Sequence, residues 1–289
     1  MVPACRNHKV GQDLVNTVLS GGYPEPLYRP TWNRRRAWYT NYVTAIIQRD
    51  VRDIARIHRL SLMPKLLAIL AEYSGQLINY SSVGAAAGLN NVSARTYIGI
   101  LENLYLLKSL NSWYSNTLKR LVKAPKLQFL DSGLLAALKN IDPERIRRNR
   151  ALLGPLLESF VYAELLKLAS WTDDHFTFSH FRDKDGKEVD FVIEKPGGEL
   201  VGIEVKAAAT VHHRAFSGLR SLAAACGDRF KLGIILCDKD ETIRFGNRPA
   251  AVPLSPHYGR DLGRILVFTP IMRLRPARSS HVQHGKILP

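Results

Sequence analysis

Residues 186–206 read Gly186-Lys187-Glu188-Val189-Asp190-Phe191-Val192-Ile193-Glu194-Lys195-Pro196-Gly197-Gly198-Glu199-Leu200-Val201-Gly202-Ile203-Glu204-Val205-Lys206. Two apolar, β-branched runs flank Pro196-Gly197-Gly198, a turn signal between strands. Val189–Ile193 and Leu200–Lys206 are therefore expected to lie as antiparallel neighbours. Strand side chains alternate, so Glu204 and Lys206 share one face while Ile203 and Val205 take the other, apolar one. The hairpin lets Asp190 come close to Glu204. Two carboxylates and a backbone carbonyl can hold Mg²⁺ with several waters retained. A lysine beside them can orient a water and screen phosphate charge, which is the chemistry of metal-assisted phosphodiester hydrolysis. Asp190 and Glu204 are thus the candidate metal ligands, with Lys206 their partner. The competing reading pairs Glu188, Asp190 and Glu204 with Lys187 and Lys206 as plain strand-end charges.

The flanking text supplies the rest of a domain over 150–258. A helix is expected over Leu153–Leu168, with Leu157, Phe160, Val161 and Leu168 as its buried stripe. Glu158 lies about 100° from Leu157 at 3.6 residues per turn, at the stripe's edge. From there it can reach the rim of the sheet and join the catalytic set Glu158, Asp190, Glu204 and Lys206. Glu164 falls nearer the middle of the stripe, where a carboxylate needs a partner. It is expected to be a buried salt-bridge partner or a second acid of the site. Phe176–Arg182 reads as a strand, a helix carries Phe216, Leu219 and Leu222, and Leu232–Cys237 is a continuous apolar run typical of a buried strand. The order is α-β-β-β-α-β.

Upstream, residues 71–140 carry a helix-turn-helix pattern. Ser81–Ala87 forms a short helix, Gly88 suits a left-handed C-cap, and Ser93 can cap a second helix through Leu107. Lys108–Trp113 and Leu118–Phe129 read as strands. Helix, helix, hairpin is the order of a winged helix, with the second helix toward a DNA groove and the wing on phosphate. Arg95 is that helix's only cation, so base readout is poor. Lys119, Arg120, Lys123 and Lys126 suit phosphate contact, which positions without specifying sequence. Residues 1–70 read as helical but thin in apolar residues. Residues 259–289 read as a basic, disordered tail. The expected fold class is α+β throughout.

The 289-residue chain is 46% hydrophobic and 23% charged, which excludes a disordered chain and a coiled-coil rod. No apolar run reaches the length a membrane helix needs, and Met1–Lys9 has no apolar signal region, so a cytoplasmic protein without membrane contact is expected. Lys and Arg exceed Asp and Glu by 16, with a pI near 9.9, the electrostatic footprint of nucleic-acid binding. Three cysteines without a C-x-x-C exclude a disulfide framework and a four-cysteine zinc site. Cys226 and Cys237 are expected to be small buried hydrophobes. His281 and His284 are expected to be solvated.

The helix, the Val-Asp-Phe strand and Ile203-Glu204-Val205-Lys206 resemble the core of the PD-(D/E)XK nuclease superfamily. A wider set resembles the C-terminal part of a bacterial and archaeal family of AAA-type ATP-binding proteins. It comprises Gly21-Gly22-Tyr23-Pro24-Glu25, Arg49-Asp50-Val51, Leu77-Ile78-Asn79-Tyr80, Pro125-Lys126, Phe129 with Asp131-Ser132-Gly133-Leu134-Leu135, Glu158 with Glu164-Leu165, and the two strands above. This resemblance covers about residues 12–256 and implies a winged helix followed by a nuclease-like domain. Members carry an ATPase module before Gly21, whereas this chain has no G-x-x-x-x-G-K-[ST] loop. The expectation is a DNA-contacting, nuclease-like family member without its motor, binding no nucleotide, either a truncated gene product or the partner of a separate ATPase; the alternative is a non-catalytic DNA-binding or protein-docking remnant of a truncated ATPase.

Overall fold

The computed structural model describes residues 11–51, 60–114, 124–208, 212–238, 243–244 and 249–253. Lys119, Arg120 and Lys123, Cys5, His281, His284 and the expected basic tail lie outside the described residues.

The first half is helical: α1 (Gln12–Ser20), α2 (Pro24–Leu27), α3 (Trp32–Ile46) and α4 (Met63–Glu72). Helices α5 (Tyr80–Ala87) and α6 (Asn91–Asn103) follow, joined through Gly88 in the left-handed region at φ 77°. The cap of α6 is Asn90, not Ser93. Its side chain accepts the Ser93 amide at 2.7 Å, one turn earlier than the sequence suggested. Strands β1 (Leu107–Leu110) and β2 (Lys126–Phe129) then form a two-stranded antiparallel ribbon. The expected strand over Leu118–Phe129 is described only from residue 124 onward.

Short helices α7 (Ser132–Leu138) and α8 (Pro143–Arg148) lead into α9 (Leu153–Ser170). The second half is a six-stranded sheet in the order β3-β4-β5-β6-β8-β7. Its strands are β3 (Thr177–Arg182), β4 (Glu188–Glu194), β5 (Leu200–Lys206), β6 (Phe230–Cys237), β7 (Ile243–Arg244) and β8 (Pro249–Pro253). The β3-β4 and β4-β5 pairs are antiparallel, and β5 and β6 are parallel, connected through α10 (Ser217–Cys226). The expected α-β-β-β-α-β order is present, extended by β8 and β7 on the far edge. The fold is α+β.

Helix α9 packs on one face of this sheet and α10 on the other. Phe191, Ile193, Val201, Ile203 and Val205 join the large core around α9. Val189, Val192, Leu200, Leu219 and Leu222 form a second core under α10. Val189 and Val192 share a face although they are three residues apart. The pairing explains this: Ser179 lies opposite Val192 and Phe181 opposite Val189, so Asp190 and Phe191 together oppose the single residue His180. This is a β-bulge, a device that re-aims side chains. Phe191 stacks on Tyr162 of α9, with ring centroids 5.5 Å apart and planes within 6°.

The ribbon is tied to the large sheet by main chain. His180 N–H donates to Asn111 O at 3.0 Å and Trp113 N–H to His180 O at 2.6 Å. On its other side, Leu127 exchanges bonds with Gly75 (2.7 Å) and Gln76 (2.9 Å). Lys126 is thereby fixed beside the bulge.

Candidate functional site

Four elements meet at one acidic cluster. Lys126 Nζ on β2 donates to Asp190 Oδ1 on β4 at 2.7 Å and lies 2.9 Å from Glu158 Oε2 on α9. Gln128, two residues along β2 and so on the same side of the strand, donates to that Glu158 oxygen at 3.2 Å. Asp190 Oδ2 accepts the Val205 amide at 2.8 Å. The β4-β5 ladder ends at the pair of Phe191 with Ile203, so Asp190 takes over the main-chain donor just beyond it. Lys206 Nζ donates to Glu204 Oε1 at 2.6 Å, and Glu204 Oε2 is buried with no hydrogen-bond partner among the described residues. The expected quartet is thus gathered: Glu158 and Asp190 share Lys126, and Glu204 lies within electrostatic reach of Asp190 with Lys206 on its own side.

Burial dominates the electrostatics. It raises the Glu158 carboxyl to about 7, with the Asp190 charge adding and Lys126 opposing. It raises Glu204 to about 8, again helped by Asp190 and opposed by Lys206. For Lys126 burial disfavours the charge, but Asp190 and then Glu158 outweigh it and hold the ammonium above its ordinary value. His180, opposite the bulge, is pushed down to about 4 by burial and by Lys126, so its ring is neutral at physiological pH. Three carboxyls thus face two ammonium groups, and the raised acids take up the mismatch.

Two expectations need correction. Lys126, grouped by its basic neighbours with the phosphate-contacting lysines, is 5% exposed and directed into the cluster. The alternation of Lys126 and Gln128 against Leu127 and Phe129 reads as a half-buried strand with its polar side outward, whereas both sides of β2 are buried. The expected phosphodiester hydrolysis also needs a cluster open to solvent, since a scissile phosphate must enter. Asp190 is 6% and Glu204 7% exposed, and the carboxylates are closed by lysine pairs. Asp190 and Glu204 therefore do not form an open Mg²⁺ site: a cation at Asp190 Oδ1 would need the space of the Lys126 ammonium. Among the described residues no group of three or more His, Cys, Asp or Glu is arranged to hold a metal ion. Glu164 is outside the cluster and pairs with Lys167 one turn on. Cys226 and Cys237 are buried thiols, as expected.

A cleft of about 310 Å³ opens beside Lys126, lined by Gly75, Gln76, His180, Arg182 and Glu188. Leu77 separates it from a second, polar cleft of about 530 Å³ bordered by Tyr80, Asn91, Arg95 and Asn111. Arg95 is exposed on α6, and its guanidinium lies 4.0 Å from the centre of the Tyr80 ring. Asn91, Val92 and Thr96 are exposed around it. Among the described residues no helix is long and apolar enough to cross a membrane.

Residues 153–256 match the family model described as Domain of unknown function (DUF4143). Residues 11–145 match a second, Domain of unknown function (DUF8612). The boundary between the two matches falls just before α9, so the acidic cluster draws Lys126 from one and its carboxylates from the other. Two curated relatives, "Uncharacterized protein Rv2008c" of Mycobacterium tuberculosis and "Uncharacterized protein Mb2031c" of Mycobacterium bovis, are each 27% identical over 192 residues, 66% of this chain. The aligned part is 42% of those proteins, so this chain spans about two fifths of their length. A solved assembly of Thermococcus gammatolerans McrB AAA+ hexamers with bound McrC matches at 10% identity and a TM-score of 0.31, over 68% of this chain and 51% of that one.

Proposed function

We propose that this chain is the DNA-binding, nuclease-like C-terminal portion of an AAA-type ATPase family protein, and that it binds DNA without cutting it. One observation carries the second clause: the Lys126 ammonium spans Asp190 and Glu158, the carboxylates that hydrolysis would need free. On this reading α5, α6 and the β1–β2 ribbon act as a winged helix-turn-helix, and α9 through β6 as a PD-(D/E)XK-like core kept for architecture. The excess of 16 positive charges supports contact with phosphate. Arg95 is the described cation on the outer face of α6.

A second reading, a Mg²⁺-dependent phosphodiester hydrolase, is favoured by one feature: the buried Glu204 Oε2, an acceptor with no hydrogen-bond partner among the described residues. Plasmid DNA incubated with the protein and Mg²⁺ or Mn²⁺ separates the two. The expected result is salt-sensitive binding with no nicking. Metal-dependent nicking that disappears in Asp190→Asn would overturn the non-cleaving reading in favour of the hydrolase. Absence of binding at low salt would remove the DNA-binding claim.

A further inference from the structure

We infer that this chain pairs with a second copy of itself through one face, on which Tyr105 of each copy enters an apolar cleft beside α9 of the other. The inference is independent of the DNA-binding reading.

The backbone at Tyr105 is the first observation. Helix α6 ends in a Schellman turn: the Tyr105 amide donates to Glu102 O at 3.0 Å and the Leu106 amide to Leu101 O at 3.1 Å. Such a turn holds its central residue in the left-handed region, where glycine or asparagine usually stands because a Cβ is crowded there. The chain follows that rule elsewhere. Gly88 ends α5 at φ 77° and Asn140 ends α7 at φ 51°, each with the same pair of main-chain bonds. At the end of α6 the position is held by tyrosine at φ 56°, a bulky residue that rarely adopts this conformation. Packing does not compensate, since Tyr105 is 77% exposed. A strained backbone that presents a large ring to solvent points to a use outside its own chain.

The cleft is the second observation. The Leu106 carbonyl, next to Tyr105, accepts the Leu130 amide at 3.1 Å, and Leu130 borders a cleft of about 280 Å³. Phe160, Ala163 and Leu166 of α9 supply its apolar wall. The volume lies below the roughly 300–1,000 Å³ of small-molecule sites and suits a side chain. Trp171, 58% exposed at the C-cap of α9, stands one turn past Lys167 on the cleft's rim. An exposed aromatic knob, an apolar hole and a second exposed aromatic thus lie together, which is the composition of an interface centre.

Two features identify the occupant as a second copy. Knob and hole sit side by side, so a two-fold axis between them lets each copy fill the other's cleft in a closed, isologous contact. Charge agrees. The chain carries an excess of 16 positive charges, yet this face sets Glu102 and Glu164 against Lys108 and Lys167. Asp131, which also borders the cleft, is engaged by the Gly22 and Leu134 amides. The face therefore neither repels its own copy nor attracts a polyanion.

The test is sedimentation velocity of nuclease-treated protein from about 1 to 100 μM, a range that brackets a weak dimer. The parent is expected to pass from monomer to dimer over this range. It should still do so at high salt, which abolishes bridging by residual DNA. Tyr105→Gly should weaken association at least about tenfold while raising the melting temperature, because glycine takes the turn without strain. A purely structural role for the ring would instead lower the melting temperature. Ala163→Gln fills the cleft from within and keeps a good helix former on α9, so it should weaken association as well. An equimolar mixture of the two variants should associate more tightly than either alone, because one knob and one hole remain to meet. A parent that stays monomeric at about 100 μM would overturn the inference. So would association unchanged in Tyr105→Gly, a lowered melting temperature of that variant, or a mixture no tighter than its components. Duplex-DNA affinity of Tyr105→Gly is expected to equal the parent's. Its loss would assign the tyrosine to nucleic acid and overturn the inference, whereas absence of DNA binding by the parent removes only the function proposed above.

Discussion

Glu204 is a carboxyl whose protonation is linked to folding. Its ordinary value of 4.5 rises to about 8 in the folded chain because burial penalises the charge. Between those values the folded state keeps a proton that the unfolded state releases. The linkage slope is then negative, and stability falls as pH rises through this window. Below about 4.5 the group contributes no penalty, and above about 8 the penalty is complete. Glu204→Gln keeps an oxygen for Lys206 and removes the titration. Its melting temperature is expected to match the parent's near about pH 5 and to exceed it near about pH 9. A parent whose stability rises steadily from pH 5 to pH 9 would show that Glu204 is charged throughout. Gly21 supports a second residue-scale prediction. It sits at φ 70°, and a Cβ there would lie 2.5 Å from Asp131 Oδ1 and closer still to the Tyr39 hydroxyl. Asp131 is itself buried and accepts the Gly22 amide at 2.6 Å and the Leu134 amide at 2.7 Å. The conformation alone costs a non-glycine residue about 1–3 kcal/mol, and the collision adds to it. Gly21→Ala should lower the urea midpoint sharply, and an unchanged midpoint would refute the packing described here.

At the scale of elements, helix α6 and the ribbon carry different loads. Arg95 stacks on Tyr80 and receives support from Asn91, to whose Oδ1 its Nε donates at 3.1 Å. It is exposed, so its removal should spare the fold. If α6 meets DNA, Arg95→Ala should weaken binding about equally for unrelated duplexes and reduce the salt slope by about 1. An unchanged salt slope would move the contact away from α6. The elements were legible in the sequence where a local signal existed. The Pro196–Gly198 turn marked the β4-β5 hairpin, Gly88 marked the α5–α6 turn, and helical phase put Glu158 at the edge of the buried stripe of α9. What stayed hidden was non-local. The bulge opposite His180 follows from pairing with β3, and nothing within β4 itself announces it. Lys126 read as one more basic wing residue because its partners lie 32 and 64 positions away. Burial of Asp190 likewise depends on how the ribbon docks.

At the scale of the molecule, the two family matches divide the chain, but the physics does not. The principal core runs without a break from Leu14 in α1 to Leu236 in β6, and α9 lies at its centre. Leu14 and Val18 of α1, Leu134 and Leu135 of α7, and Leu157, Val161 and Leu165 of α9 are buried in it together. Main-chain bonds at Asn111–Trp113 join the ribbon to β3. The acidic cluster repeats the same logic with charge, since Lys126 lies in the first half and Glu158 and Asp190 in the second. Thermal or urea unfolding of the whole chain is therefore expected to be a single cooperative transition, with far-UV circular dichroism and tryptophan fluorescence coinciding. A fragment of residues 150–256 would lose α1, α7 and Lys126 at once. It would expose the apolar flank of α9, together with the face of the sheet that the ribbon covers, and leave Glu158 and Asp190 without their shared cation. The fragment should be insoluble or molten by itself. Co-expression with residues 1–149 should restore a folded complex if the shared core is what holds the halves together. A fragment that unfolds cooperatively at the parent's temperature would show that the halves are energetically independent, and that the Lys126 bridge is incidental to stability.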